Sequence, residues 1–95
     1  MASANVTCAG SSGREIECDT AQKLATLLKP GGTVSNKDAT TSAWINDNGG
    51  TVDATDGSAT SLEIKAGASV KLPIDCASFS FKTASGTAYL QYTPA

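Results

Sequence analysis

The stretch SLEIKAGASVKL, residues 61–72, carries the clearest structural pattern in the chain. Its apolar residues alternate with polar ones at the two-residue period of a half-buried β-strand, both before and after a central Ala-Gly-Ala. A short loop that contains glycine is typical of a β-hairpin. The pattern therefore predicts a hairpin centred on Gly67, in which Ile64 faces Val70 and the charged residues pair on the other face.

Similar alternation on both sides of this stretch predicts further short strands. They are expected at Val6–Cys8, Glu15–Cys18 and residues 33–35, 41–46, 51–53, 78–82 and 87–93. The first two would form a hairpin, so that residues 1–18 make an N-terminal arm. The last two would form another hairpin around a turn at Ser85 and Gly86, with Phe81 opposite Leu90.

Seven or eight short strands with turn residues at regular spacing predict an all-β fold. We expect a single antiparallel β-sandwich over residues 1–95, of jelly-roll or immunoglobulin type. A chain of 95 residues buries a thin core. Because many of its hydrophobic residues are alanines, which add little buried area, contacts with partner subunits would add to its stability.

Residues 20–28 leave two interpretations open. Three leucines recur there at helical spacing, and Asp19 with Gln22 has the form of a helix capping box. This pattern favours a short helix. A short leucine-rich run in a sheet protein also forms a strand when its surroundings require one, because tertiary packing overrides helix propensity.

The charge pattern argues against nucleic acid as a partner. Seven basic and nine acidic residues give a net charge of −2, and the lysines are scattered singly, whereas binding to phosphates requires clustered Lys or Arg. No segment has the roughly 20 apolar residues of a membrane span, and the N-terminus has no signal-peptide pattern. We therefore expect no nucleic-acid or membrane partner, and a protein made and assembled in a cytoplasm.

The three cysteines, Cys8, Cys18 and Cys76, cannot all pair within one chain. A zinc site is not expected, because the chain has no histidine and no C-x-x-C spacing. Cys8 and Cys18 could face each other across a hairpin, which leaves a disulfide open. The alternative is that the thiols are reduced and buried as small apolar side chains.

The sequence does not predict an enzyme. Ser and Cys nucleophiles usually need a histidine base, and the chain has none. Two serine-lysine pairs, Ser69 with Lys71 and Ser80 with Lys82, would each share a strand face. Such pairs are usually solvated surface residues rather than catalytic ones.

Cofactor and metal sites are not expected either. Asp47, Asn48, Asp53 and Asp56 cluster in one glycine-rich loop, and oxygen ligands of this kind can hold Ca²⁺. The spacing fits no known type of calcium loop, and Asp and Asn are also the usual residues of turns. A solvated loop is therefore the favoured interpretation.

The candidate functional residues are those of an interface. If Ile45 lies in the core, its neighbour Trp44 points outward, where it would be the apolar anchor of an interface. A core position for Trp44 stays open as well. Asp47 and Val52 lie in the polar loop that follows, and Tyr89 is the large apolar residue that the C-terminal hairpin leaves outside. We therefore predict an interface at Trp44, Asp47, Val52 and Tyr89.

In the order of its features from residue 19 onward, the chain resembles small β-sandwich structural proteins of tailed bacteriophage virions. The motifs that carry the resemblance are TAQKL at 20–24, TVSN at 33–36, SAWI at 42–45, the Asp-Gly turn at 56–57, and LEIKAGASVK at 62–71. In the last of these, an alanine-glycine step precedes a serine and a hydrophobic strand.

This resemblance implies a non-enzymatic virion structural protein. It favours a capsid decoration or cement protein that binds and stabilises the major capsid lattice, often as a homo-oligomer and most often as a trimer. A tail, adaptor or fibre component of the virion is the alternative within the same family. The implied partners are the major capsid protein or other virion subunits. Outside the family, a stand-alone module that binds carbohydrates or cell surfaces is the competing interpretation.

Overall fold

The computed structural model describes residues 6–8, 15–55, 58 and 60–95, and for Val6–Cys8 and Glu15 it describes the backbone. Nine strands lie in these ranges: β1 Val6–Cys8, β2 Glu15–Cys18, β3 Lys23–Leu27, β4 Gly32–Asn36, β5 Ala43–Asn46, β6 Leu62–Ile64, β7 Ser69–Leu72, β8 Ser78–Lys82 and β9 Ala88–Thr93. The described ranges contain no helix, and so none long and apolar enough to cross a membrane. Residues 51–53, for which a strand is predicted, form none.

The strands form two sheets packed as a sandwich, which confirms the predicted fold class. Sheet A has the order β1-β3-β8-β5-β6, and sheet B has the order β2-β9-β4-β7. The eight strands from β2 to β9 make two antiparallel layers of four. The additional strand β1 pairs in parallel with β3 at the edge of sheet A.

Strand pairing in the sandwich is nested. The outermost pair is β2 with β9, and inside it come β3 with β8, β4 with β7 and finally β5 with β6. This nesting of eight antiparallel strands is the jelly-roll arrangement, and it differs from the strand order of an immunoglobulin sheet. Of the two predicted types of sandwich, the structure therefore has the jelly roll.

The predicted hairpins are wrong for the same reason. Gly67 lies in a turn with a φ of 80°, as expected, but this turn carries the chain from sheet A to sheet B. Ile64 pairs with Ala43 of β5, and Val70 pairs with Val34 of β4. Likewise, β1 does not pair with β2, nor β8 with β9. Short turns and matched apolar patterns do not distinguish a hairpin from a crossing between stacked sheets.

The helix considered at residues 20–28 is not formed, and β3 lies there instead. Ala25 and Leu27 point into the core, while Leu28, beyond the end of the strand, is 67% exposed. The expected capping box is absent, since the Asp19 carboxylate accepts a hydrogen bond from the Ala21 N–H. Packing of this segment between β1 and β8 outweighs its helix propensity.

The core lies between the two sheets. Its largest fully buried apolar side chains come from both layers: Phe79, Phe81, Ile45 and Ile64 from sheet A, and Ile16, Leu90 and Val34 from sheet B. The Phe79 and Phe81 rings lie 5.8 Å apart between centroids, in a tilted arrangement that aromatic pairs favour. Burial of these few side chains provides most of the hydrophobic stabilisation.

Cys18 and Cys76 are free, buried thiols, which agrees with the interpretation of reduced cysteines and excludes a disulfide at Cys18. Burial raises the pKa of the Cys18 thiol to about 12, so the thiol is protonated at neutral pH. The side chain of Cys8, like residues 1–5 and 9–14 of the predicted N-terminal arm, lies outside the described residues.

Because consecutive antiparallel strands alternate in direction, their connections fall at two opposite ends of the sandwich. One end holds residues 19–22, 37–42, 65–68 and 83–87, and its loops are joined by hydrogen bonds from Gly67 N to Asn36 O (3.0 Å) and from Thr83 N to Asp19 O (2.8 Å). The other end holds residues 28–31 and 73–77, joined by a bond from Gly31 N to Cys76 O (2.9 Å).

Candidate functional site

The structure does not bring the four predicted interface residues together. Trp44 and Val52 are 5% and 4% exposed, and Asp47 is half-buried. These three residues lie on or beside the outer face of sheet A. Tyr89 is 41% exposed and lies on the outer face of sheet B. Trp44 fits neither of its two predicted positions fully. It points away from the core between the sheets, but it is nevertheless buried.

What covers Trp44 is the loop that follows β5. Residues 47–55, which we call the strap, run across the outer face of sheet A. The Gln22 side chain accepts a hydrogen bond from Val52 N (2.7 Å) and donates one to Gly50 O (3.2 Å). The Ser80 hydroxyl also donates to Gly50 O. Two polar side chains of the sheet therefore fix the middle of the strap.

The two ends of the strap are fixed as well. Asn46, the last residue of β5, donates to Thr51 O (3.1 Å) and accepts from Asn48 N (2.9 Å), which folds the chain back on itself. Further along, the Ser61 hydroxyl accepts from Asp53 N (2.9 Å). Polar side chains thus bond the main chain of the strap and keep it ordered. A loop in contact with water would not need these bonds, because water would satisfy its main-chain groups.

An open groove of about 560 Å³ lies between the strap and the neighbouring loops. Hydroxyl-bearing and small side chains predominate in its lining, which consists of Thr40, Thr41, Ser42, Trp44, Ala54, Thr55, Glu63, Ala84 and Ser85. We call this the Trp44 groove, and we call the end of the sandwich that bears it, with residues 37–42 and 83–87, the groove end. The volume lies in the range of about 300–1,000 Å³ typical of small-molecule sites.

One wall of the Trp44 groove is held by Asn36 and Asp38. The buried Asn36 side chain donates to Thr41 O and to Ile64 O, both at 2.8 Å, and accepts from Asp38 N (3.0 Å). The Asp38 carboxylate accepts from Thr40 N (3.0 Å) and Thr41 N (2.8 Å). These backbone N–H groups, that of Thr40 first, lower the pKa of Asp38.

The opposite wall is held in a similar way. Thr83, which is fully buried, donates its hydroxyl to Gly86 O (2.6 Å) and so closes the turn that presents Ala84 and Ser85 to the groove. With the strap fixed by Gln22 and Ser61, all three walls are set by hydrogen bonds within the chain. A site whose walls are ordered in advance loses less conformational entropy when it binds a ligand.

At the opposite end of the sandwich, two large apolar side chains face solvent. Ile74 is 85% exposed and Leu28 is 67% exposed. They belong to connections that are hydrogen-bonded to each other. The two connections also lie in close contact, since a Cβ added to Gly31 would lie 3.5 Å from backbone atoms of Ile74. We call this region, residues 28–31, 73–77 and 94–95, the apolar end. The two exposed apolar side chains thus lie on connections that a main-chain hydrogen bond holds together.

A smaller cavity of about 240 Å³ lies beside the apolar end, lined by Asp47, Asn48, Pro73, Asp75, Cys76, Ala77 and Ser78. Burial raises the pKa of the Cys76 thiol, which donates to the carbonyl oxygens of Asp47 and Ser78, both at 3.2 Å. A protonated thiol held in this way is a poor nucleophile.

The serine-lysine pairs considered as catalytic groups are not assembled in the described structure. Ser69 shares a hydrogen bond of 2.8 Å with Ser35, and Ser80 donates to the strap. The described residues also contain no group of three His, Cys, Asp or Glu placed to bind a metal, and Asp56 of the proposed calcium loop lies outside them.

Sequence reasoning missed the residues that shape both surfaces. Asn36, Gln22 and Thr83 are polar residues within or beside strands, and a signal for the first was available, since an asparagine that ends a strand often bonds the following turn. Leu28 and Ile74 are large and apolar, which by itself favours core positions, yet they are exposed. Only the strand boundaries place them in connections.

No protein-family model matches the chain, and no curated protein and no solved structure matches it either. The functional interpretation therefore depends on the geometry of the two ends and on the resemblance described above.

Proposed function

We propose that this protein is a non-enzymatic structural component of a bacteriophage virion, a decoration or cement protein that docks on the major capsid lattice through its apolar end. The observation that carries the proposal is the exposure of Leu28 and Ile74 on two adjoining connections. Jelly-roll sandwiches are common in viral capsids and lectins. The sequence resemblance to phage virion proteins makes the first of these the more specific choice.

The apolar end differs from the strand edges in its exposed apolar residues, although the exposed charged residues Lys29 and Asp75 lie among them. The edge strands β6 and β7 are short, with three and four residues, and they carry the charged residues Glu63 and Lys71. Short, charged edges discourage strand-to-strand pairing. At the apolar end, Pro30, Pro73 and Ala77 are exposed together with Leu28 and Ile74, and Lys29 is the nearest basic residue in sequence. Docking through this end would bury apolar side chains that now contact water.

A cement protein would bind at every lattice position and would need no active site. In this proposal, copies of the chain associate as trimers over the lattice and add contacts between capsid subunits. Small gains in stability from each contact are then multiplied over the shell, since binding to the folded assembly stabilises it by mass action.

The proposal is tested on virions of the phage that encodes the chain. We expect the protein at hundreds of copies per particle by quantitative mass spectrometry, and a lower temperature of genome release when it is removed. A double variant, Leu28→Asp with Ile74→Asp, should lose incorporation. The matched control is Lys65→Asp in the exposed turn at the groove end, which changes the net charge by the same amount and should be incorporated normally.

Other outcomes would redirect the proposal. A handful of copies per particle would place the chain in the tail, an adaptor or a fibre. Loss of incorporation in Tyr89→Ser, with the double variant unaffected, would move the docking surface to the outer face of sheet B. Absence of the protein from purified virions would refute the virion assignment altogether.

A further inference from the structure

We infer that the Trp44 groove is a binding site for a neutral oligosaccharide. This role is independent of the docking role proposed for the apolar end, since the Trp44 groove lies at the opposite end of the sandwich. It would give a protein anchored by its apolar end a second, outward-facing surface for recognition.

The first observation is the state of the Trp44 side chain. Trp44 is only 5% exposed. Its indole N–H makes no hydrogen bond to any described residue. Within the described part of the chain, no fully buried side-chain nitrogen or oxygen lacks a partner, so solvent must reach this N–H. Trp44 also lines the Trp44 groove. The groove lining therefore includes a residue whose hydrogen-bond donor is unused.

The second observation is an acceptor close to this donor. Glu63 lies directly opposite Trp44 in the pairing of β5 with β6 and also lines the groove. Its side chain is exposed and forms no ion pair among the described residues. A carboxylate that accepts two hydrogen bonds, placed next to an indole donor, matches the vicinal hydroxyls of a sugar, which both donate and accept.

The rest of the lining limits the ligand class. Five of the nine lining residues carry a hydroxyl group: Thr40, Thr41, Ser42, Thr55 and Ser85. No lysine or arginine lines the groove, and Glu63 would repel an anion, so phosphorylated or acidic ligands are disfavoured. A purely apolar ligand would leave these hydroxyls without partners. A ligand with many neutral hydroxyl groups is the class that satisfies the whole surface.

The third observation is that the groove walls are set before any ligand binds. Asn36 and Asp38 hold the wall that contains Thr40 and Ser42, and Thr83 holds the wall that contains Ser85. Asn36 and Thr83 are buried, and their side chains bond main-chain groups of the loops around the groove. Their common effect is to keep the hydroxyls of the lining in place.

The experiment uses the full chain labelled with ¹⁵N. Because Trp44 is the only tryptophan, its indole N–H gives a single, unmistakable NMR signal. We expect this signal to shift saturably when neutral oligosaccharides are added, after a glycan array has selected the sugars. Acidic glycans of the same length should cause no saturable shift.

Two variants assign the binding to the groove. Glu63 is exposed, so Glu63→Gln should fold normally, and loss of the charged acceptor should weaken binding about tenfold or more, as expected for one hydrogen bond to a charged group. Trp44→Phe removes the N–H donor and should weaken binding to a similar degree. Tyr89→Phe, on the other sheet, is the matched control and should bind as the unmodified chain does.

Several results would overturn the inference. These are the absence of any saturable shift with neutral sugars, a preference for acidic glycans, or full binding by Glu63→Gln. Binding that is lost in Tyr89→Phe would place the sugar on the outer face of sheet B instead. If Trp44→Phe proves unstable, Glu63→Gln and a Ser42→Ala variant, whose side chain also lines the groove, provide the same decision.

Discussion

The two ends of this sandwich are both built by connections between the same two sheets, yet their surfaces are opposite in character. At the groove end, buried polar side chains such as Asn36 and Thr83 tie the loops to one another and present hydroxyl groups to solvent. At the apolar end, main-chain bonds and the buried Tyr92 hydroxyl, which donates to Gly31 O, hold the connections, and Leu28 and Ile74 stay exposed. Side chains therefore help to order the loops at both ends, and the ends differ in what they present to solvent: hydroxyl groups at the groove end and apolar side chains at the apolar end.

The largest effect is expected from asparagine substitutions, because an asparagine ends one strand at each end. Asn36→Ala removes bonds to three main-chain groups at the groove end and should lower the free energy of unfolding by about 3 kcal/mol, since buried groups lose their partners. Asn46→Ala removes two bonds under the strap and should cost about half as much, about 1.5 kcal/mol. Urea unfolding of both variants measures the difference. Equal losses would contradict the expectation that the three bonds of Asn36 stabilise the fold more than the two bonds of Asn46.

Glycine substitutions at the two ends give the next largest effect. Gly32 begins β4 at the apolar end with a φ of 112°, and a Cβ there would lie 2.6 Å from Thr93 O. Gly67, at the other end, has a φ of 80° and open space around it. Gly32→Ala should therefore cost about 2 to 3 kcal/mol, and Gly67→Ala about 1 kcal/mol from backbone strain alone.

Thermal unfolding of the two alanine variants side by side tests this difference. The apolar end is crowded beneath its exposed surface, and that crowding is what the Gly32 variant detects. If Gly67→Ala were the more destabilising of the two, the turn at the groove end would be more constrained than its open surroundings indicate.

Acid should weaken the groove end selectively. The pKa of Asp38 is lowered below its ordinary value of 3.8 by the N–H groups of Thr40 and Thr41, so the ionised form stabilises the folded state above that pH. The stabilisation is lost as the pH falls through the lowered pKa. Asp38→Asn should therefore be less stable than the unmodified chain at pH 7. At a pH below the lowered pKa of Asp38, where the carboxyl group is protonated, the two proteins should be equally stable. Unfolding curves at both pH values measure this, and a constant difference would rule out the charge as its source.

The smallest effect on folding is expected from the exposed apolar residues. Leu28→Ser and Ile74→Ser should change the free energy of unfolding by no more than about 0.5 kcal/mol each, because surface substitutions away from specific contacts are nearly neutral. Chemical unfolding of the isolated protein measures this. A loss of several times that size would mean that these side chains support the fold rather than await a partner.

The sequence predicted the sandwich and most strand positions, because alternation of apolar and polar residues is a local property. It could not predict the pairing. Ile64 and Val70 satisfy the pattern of a hairpin, but Ile64 faces the core from sheet A and Val70 faces it from sheet B. Two strands that face the same core have the same alternation whether they pair in one sheet or stack in two. The helix considered at residues 20–28 is not formed because packing in sheet A overrides its leucine spacing, and of the three leucines only Leu27 is buried.

The candidate sites were less predictable still. The sequence left open whether Trp44 lies in the core or on an outer face, and the strap on its face of sheet A is held by Gln22 and Ser80, which lie far from the strap in sequence. The apolar end depends on where strands stop. Both facts are set by the tertiary fold, and neither leaves a local pattern of residues.

Nested pairing also determines when this protein can become folded during its synthesis. Strand β9 lies between β2 and β4 in sheet B, and Ile16 near the start of the sandwich pairs with Leu90 near its finish. Until β9 has left the ribosome, sheet B has a gap at its centre, and two strands present unpaired edges. Contacts between such distant parts of a chain form slowly, on the scale of milliseconds to seconds for small β proteins. Each new copy therefore spends its whole period of elongation as an incomplete sheet, exposed to misassembly with its neighbours.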